Sequence, residues 1–456
     1  MSAGKVATGT LVLGLLGIFV SLVLFISLPS EASGPIFVLF AVGVLLLATS
    51  GLVASWCIVF AGATFNGLSI DLGFLSVRPE HLTLVVFVIM LYHMRMRRIP
   101  ATLRKSRLPL ICLAFGFIFW SAIISLGSPS PTASLWIVFQ YALGIVWLLP
   151  FASLGGEKAK LVKAGTFVFA GVTLVSLMGY LGRVLGLGAE LGVSQQSGRL
   201  QGFSFEPNIF ASQAVVWLGV LYVWRSSLHR LDRLAAAVIV VGVLFAGTRS
   251  AWLALVAIIA LAVLNVLRRG STRSVIVAGA IGVIGVAAPF VFSTLASAGL
   301  LGSEITYRLD NLLESDSGTG AYRIDNFELA FSDLSTWDSW WTGLGANSFS
   351  QYHTIDSTGT GPAYLGSLWI TLVYDSGFIG LALFCGLFIS IWRLSERRAE
   401  SLAIFVAIAI CAAFTNFLWF QYAWLSLAMV IGRSKEAKNS EINNRLSSVV
   451  VSGGRQ

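Results

Sequence analysis

Apolar runs long enough to cross a bilayer recur along the chain. A helix needs about 20 apolar residues to traverse ~30 Å of hydrocarbon. Runs of that kind fall at 9–28, 36–52, 55–70, 80–95, 108–127, 133–152, 163–182, 208–224, 234–247, 250–267, 274–296, 366–392, 401–416 and 418–432. The stretch 36–70 accommodates either two short spans or one span plus a re-entrant piece. The pattern therefore predicts an all-α, polytopic transmembrane bundle of about 12–14 spans. Residues 9–28 resemble the apolar part of a signal peptide, but only Lys5 precedes them and no clear cleavage site follows, so an uncleaved first span is expected.

One segment breaks the pattern. Residues 297–365 form a long polar interruption rich in Trp, Tyr, Asp, Ser and Gly. Loops of this length are functional or disordered, and the aromatic content, with Trp337, Trp340 and Trp341 close together, argues for order. Within it, residues 322–332 carry Tyr322, Ile324, Phe327, Leu329 and Phe331 at helical spacing, which predicts a short amphipathic helix at the membrane surface. The segment TGLGANSF (342–349) reads as glycine-punctuated turns.

Composition agrees with the membrane reading. Of 456 residues, 56% are hydrophobic and 11% charged, with a mean hydropathy of +0.84. Soluble domains hold roughly 25% charged residues, so a soluble enzyme, a disordered chain and a nucleic-acid binder are excluded. Cys57, Cys112, Cys385 and Cys411 lie in apolar runs, without disulfide or metal spacing. The net charge of +9 has an uneven distribution. Alternation between spans puts the clusters at 95–107, 158–163, 225–233, 268–273, 393–398 and 433–455 on one face, which positive-inside bias makes cytosolic, together with both termini. The remaining six bases, Arg78, Arg183, Arg199, Arg249, Arg308 and Arg323, fall on the outer face, and all are arginine. Arginine suits bidentate phosphate recognition and keeps its charge when partly buried.

Four places carry candidate chemistry. In GRLQGFSFEPNIFA (198–211), Arg199 precedes a glycine turn, and Glu206, Pro207 and Asn208 open a span. Free N–H groups at a helix start beside an arginine make an anion site; helix capping and an interfacial arginine are the plain alternative. In AGTRSAW (246–252), Arg249 lies between two spans with almost no loop. At that depth it is either functional or snorkelling to the interface. In the loop, Arg308 and Arg323 begin the similar patterns RLDN and RIDN, as anion ligands or as ion-paired surface residues. Asp375, at the outer end of a span, is a candidate general base or a local cap. His353 is the loop's one histidine, and a surface role is its ordinary reading.

At these residues the chain resembles the O-antigen ligase and O-antigen polymerase superfamily, bacterial membrane glycosyltransferases that act on undecaprenyl-diphosphate-linked glycans. The resemblance spans roughly 195–392. It consists of an Arg-x-x-Gly turn leading to Pro-Asn (Arg199, Gly202, Pro207, Asn208), a Thr-Arg-Ser step (Thr248, Arg249, Ser250), Arg323 on the loop helix, Gly-x-Gly (Gly343, Gly345), and a span opening with Asp375, Gly377 and Gly380. One departure matters. The ligases resemble one another in a His-Asn pair about eleven residues before that last glycine motif, where this chain has Gly366 and Ser367. Either another group takes the place of the histidine or the chemistry differs, and the departure favours a polymerase-like reading over a ligase.

The resemblance implies a GT-C-like helical bundle and metal-independent, cofactor-free glycosyl transfer. It divides the chain into N-terminal spans (1–194), a core including the outer loop (195–392), and C-terminal spans with a cytosolic tail (393–456). The implied reaction transfers a glycan from undecaprenyl diphosphate to a sugar hydroxyl of another lipid-linked repeat unit, on the outer face of the bacterial cytoplasmic membrane. Arg199, Arg249, Arg323 and Arg308 would hold the diphosphate. Asp375, or secondarily Glu206, would assist the attacking hydroxyl, with Asn208 and His353 as further candidates. Expected partners are the lipid-linked oligosaccharide, the bilayer and a chain-length regulator. The alternatives are a ligase that moves a finished glycan to a different acceptor, and a lipid or sugar transporter. The chain lacks the internal repeat usual in transporters.

Overall fold

A computed structural model describes residues 51–67, 107–148, 157–187, 197–268, 319–355, 361–395, 397–417 and 419–432, with a few isolated positions between them. The spans expected at 9–28 and 274–296, most of 36–52 and 80–95, the cytosolic tail and Arg308 lie outside the described residues. The described chain is helical: α1 (Leu52–Thr64), α2 (Leu108–Ser125), α3 (Pro131–Val146), α4 (Lys158–Val184), α5 (Pro207–Trp224), α6 (Arg230–Phe245), α7 (Arg249–Leu267), α8 (Thr319–Thr336), α9 (Phe349–Tyr352), α10 (Leu368–Leu394), α11 (Arg398–Ala412) and α12 (Gln421–Val430). Among the described residues five helices are long and apolar enough to cross a membrane: α2, α4, α7, α10 and α5 continued to Ser227.

A small departure from an all-helical chain follows α1, where Ile70–Asp71 pairs antiparallel with Ser76–Val77. The run expected to continue as a span to residue 70 stops at Thr64. Asn66 donates from Nδ2 to the Ala63 carbonyl, and Gly67 abuts the Ser204 backbone so closely that a Cβ would fall 2.4 Å from the Ser204 oxygen. The chain turns there because it meets the loop before α5.

Helix α5 is the centre of the bundle. Most of its residues are buried, and it packs against α4, α6, α7, α11 and α12. Trp217 fills the space beside Gly165, where a Cβ would come within 2.8 Å of the indole, and donates from Nε1 to Thr166 Oγ1 at 3.1 Å. In contrast, α2 and α7 expose Leu108, Ile111, Phe115, Phe119 and Leu253, Val256, Leu264. Apolar faces that long are those of helices against lipid.

The basic clusters tie helix ends together at one end of the bundle. Lys158 donates to the Ala428 and Ile431 carbonyls, satisfying the C-terminus of α12. Arg397 donates to the Val223 carbonyl, Arg225 pairs with Glu400 at 3.1 Å, and Lys163 faces Asp232 at 3.9 Å. The N-terminus of α5 and the junction of α6 with α7 lie at the opposite end.

Candidate functional site

Arg199 draws three helix ends together. Its guanidinium donates from Nε to the Ala246 carbonyl at 2.8 Å, and from Nη2 to Thr248 Oγ1 at 2.8 Å and Asn208 Oδ1 at 3.1 Å. Thr248 Oγ1 also donates to Asn208 Oδ1 at 3.2 Å. Ala246 ends α6, Thr248 precedes α7 and Asn208 lies in the first turn of α5. The arginine is 4% exposed and works here as a brace. Its backbone is set by a small loop in which Ser194 and Arg199 pair, and Leu200 donates to the Phe245 carbonyl at 3.2 Å. Arg249 is half-buried and opens α7, one residue past the brace.

Glu206 occupies the N-cap position of α5 in an extended conformation, without a side-chain capping hydrogen bond. The turn before it is fixed by Gln201, which donates to the Ser204 and Phe205 carbonyls at 2.7 and 3.0 Å, and by Asn66, which accepts the Phe205 N–H at 3.0 Å. Burial raises the Glu206 carboxyl above the usual glutamate range, opposed by the charges of Arg323 and Arg199 and by a hydrogen bond from Asn208. Four of the sequence candidates (Arg199, Glu206, Asn208 and Arg323) thus share one neighbourhood.

Arg323 reaches it from α8. This helix buries Asn326, Ala330 and Leu334 along one face and exposes Ile324, Leu329 and Phe331. The buried stripe is narrower than the apolar set that marked the helix in sequence, and Ile324, Leu329 and Phe331 are left exposed. Tyr364 bridges the groups. Its carbonyl accepts from Asn326 Nδ2 at 3.2 Å, its ring lies 5.7 Å from that of Tyr322, and its phenol is pushed up by burial first and then by Glu206. Two residues on, Gly366 lies against the Arg323 side chain; a Cβ there would fall 2.7 Å from Nε.

Asp375 lies in a different setting. Helix α10, expected as an unbroken span, is interrupted at Gly377 (φ 65°, ψ −174°), and the segment 340–347 threads the break. Leu344 and Gly345 donate to the Tyr374 and Asp375 carbonyls at 2.8 and 2.9 Å, and Trp120 Nε1 donates to the Ser376 carbonyl at 2.8 Å. On the far side of the break, Phe378 and Ile379 donate to the Trp340 and Trp341 carbonyls at 2.9 and 3.3 Å. The freed backbone groups of the broken helix are re-satisfied by the loop, as a low-dielectric setting requires. Gly343 and Gly377 permit the approach: a Cβ on either would sit within 2.4 Å of backbone atoms. The Asp375 carboxylate is buried and accepts the Asn347 N–H on Oδ2 at 2.9 Å.

His353 ends up paired. Its Nε2 lies 2.7 Å from Asp333 Oδ2, which also accepts the Tyr374 hydroxyl at 2.7 Å. Asp333 and Tyr374 carried no sequence signal, being 20 and 21 residues from His353 with no motif linking them. Among the described residues no group of His, Cys, Asp and Glu is placed to hold a metal ion.

Residues 234–385, a third of the chain, match the family model described as O-antigen ligase. The match includes Arg249, Arg323, His353 and Asp375, and begins after Arg199, Glu206 and Asn208. No curated protein matches the chain.

Proposed function

We propose that this chain, a member of the O-antigen ligase superfamily, is a polysaccharide polymerase. It would transfer a glycan from undecaprenyl diphosphate to a sugar hydroxyl of another lipid-linked repeat unit, at the outer face of the bacterial cytoplasmic membrane. The observation that supports this most directly is the convergence of Arg323 with Glu206 beside the Arg199 brace. As the C1–O bond to the lipid diphosphate breaks, negative charge develops on the leaving oxygen, and fixed guanidinium donors stabilise it. Arg323 and Arg249, both half-buried, would supply those donors. Arg199 acts at one remove, holding the outer ends of α5, α6 and α7 and adding its field to Glu206.

The acceptor hydroxyl attacks C1 and loses its proton to a carboxylate. Glu206 is better placed for this than Asp375, because it shares the arginine neighbourhood while Asp375 anchors Asn347. A base whose pKa is raised toward the working pH accepts a proton more effectively. The mechanism calls on no metal ion or cofactor. Gly366, where the ligases resemble one another in a histidine, supports the polymerase reading: Arg323 lies across that position.

A second reading, ligation of a finished glycan to a different acceptor, is equally compatible with the family match over residues 234–385. Incubating the purified protein with a lipid-linked repeat unit separates the two. A ladder of products supports the polymerase; a single transfer that needs a second acceptor supports the ligase. Undiminished donor with no product overturns both.

A further inference from the structure

We propose that Trp337 and Tyr352, with Asp333 and His353 beside them, form a binding subsite for a pyranose ring of the glycan. The proposal deepens the transferase reading and rests on it. The two rings are 4.6 Å apart, and both are exposed, Trp337 at 44% and Tyr352 at 39%. Large aromatic rings in the open are informative only when something holds them there, and here the backbone does. Trp337 closes the last turn of α8, its N–H donating to the Asp333 carbonyl at 2.9 Å and its own carbonyl accepting from Ser339 Oγ at 2.9 Å. Asp338, the next residue, takes a left-handed φ of 47°, which a non-glycine residue adopts at a cost. Tyr352 ends α9 with its N–H on the Ser348 carbonyl at 3.1 Å.

The polar half of the subsite comes from Asp333 on α8 and His353 just past α9. Asp333 is placed by Tyr374 and His353, and both contacts use Oδ2. Oδ1 takes part in neither and can accept from a ligand hydroxyl. The Asp333 carboxylate also acts on the Tyr352 phenol, which burial and this negative charge push up, so the acid and the aromatic pair share one place. A sugar ring has an apolar C–H face and a rim of hydroxyls. An aromatic surface next to a carboxylate and an imidazole meets both, and rings with two rotatable bonds lose little entropy on binding.

Lipid is the other occupant to weigh. Trp341, the more exposed tryptophan at 68%, packs edge-on against the exposed Phe378 of the membrane-spanning α10 at 5.7 Å, whereas Trp337 packs on Tyr352 beside the Asp333 carboxylate. Acyl chains would leave the Asp333 carboxylate desolvated without compensation, which is costly.

The test uses the full-length protein in nanodiscs. The ligand probe is a set of neutral oligosaccharides released by mild acid from the surface polysaccharide of the producing cell. Calorimetric titration should show binding that weakens about tenfold in Trp337→Ala and in Tyr352→Ala, and less in Trp337→Phe. Wild-type affinity in both alanine variants, at wild-type thermal stability, overturns the subsite. So does selective quenching by brominated phospholipid of the emission that Trp337→Phe removes, since the ring would then lie in the bilayer. If the wild type consumes a lipid-linked repeat unit but binds no free oligosaccharide, the subsite fails and the transferase reading stands. If it binds oligosaccharide but consumes no donor, the subsite stands and the transferase reading fails.

Discussion

The Arg323 side chain lies across Gly366 so closely that a methyl group on the glycine would sit 2.7 Å from Nε and 3.2 Å from Cδ. The atoms that would give way belong to a flexible side chain, so Gly366→Ala moves the arginine without straining the backbone. The variant should keep wild-type thermal stability while its transfer rate falls about tenfold or more. Arg323→Ala should lose about 10²–10³ in rate, the usual effect of removing one donor from an oxyanion site. Rates measured on a lipid-linked repeat unit decide this. Wild-type turnover in both variants would remove Arg323 from the site.

Arg199 should respond differently. Its guanidinium satisfies three acceptors at the ends of three helices, and those acceptors are left without their charged donor when it is removed. Arg199→Ala should cost about 2–4 kcal/mol of stability, read as a fall in melting temperature in detergent. Arg199→Lys should restore little, because one ammonium cannot reproduce the planar fork. A wild-type melting temperature in Arg199→Ala would show that the brace is dispensable.

The two arginines show what was legible in the sequence. Arg199, Asn208 and Thr248 were each visible as parts of separate short patterns, but that one guanidinium joins them follows only from the packing of α5, α6 and α7. Helix positions were more accessible. The runs 108–127, 208–224 and 250–267 became Leu108–Ser125, Pro207–Trp224 and Arg249–Leu267, because apolar composition and bounding polar residues specify a span locally. The break in α10 was hidden. Gly377 reads like any tolerated helix glycine, and its left-handed conformation depends on segment 340–347, some thirty residues upstream. The Asp333–His353–Tyr374 group was hidden for the same reason: its members come from separate elements, brought together by the docking of the loop.

That docking makes Asp375 an anchor. Its Oδ2 holds the Asn347 N–H, and Asn347 itself is in a left-handed conformation with φ 56°. Asp375→Asn keeps an acceptor oxygen, so it should fold and retain activity within a few-fold of wild type. Asp375→Leu should release the loop and lose both stability and transfer. A loss of about 10³ in the folded asparagine variant would instead assign Asp375 as the base. Gly377→Ala tests the same joint from the other side. With φ at 65° and a Cβ 2.2 Å from the Trp341 carbonyl oxygen, the substitution should cost at least about 3 kcal/mol.

Glu206 should set the acid limb of the pH profile. Burial raises its carboxyl, and the positive charges of Arg323 and Arg199 oppose that rise. A base must be ionised, so transfer should fall as pH drops through the folded pKa of Glu206. Arg323→Ala removes an opposing charge, so its residual activity should show that limb moved to higher pH. The stability effect has the opposite sign. A carboxyl raised by folding holds its proton to higher pH in the folded chain than in the unfolded one. Stability is therefore lost as pH rises from the unfolded pKa to the folded one and stays lower above it. Glu206→Gln, which cannot ionise, should be more stable than wild type at neutral pH while transferring glycan far more slowly. Melting curves and initial rates across pH 4–8 check both signs. An unshifted acid limb in Arg323→Ala, together with full activity in Glu206→Gln, would transfer the proton-accepting role to another group.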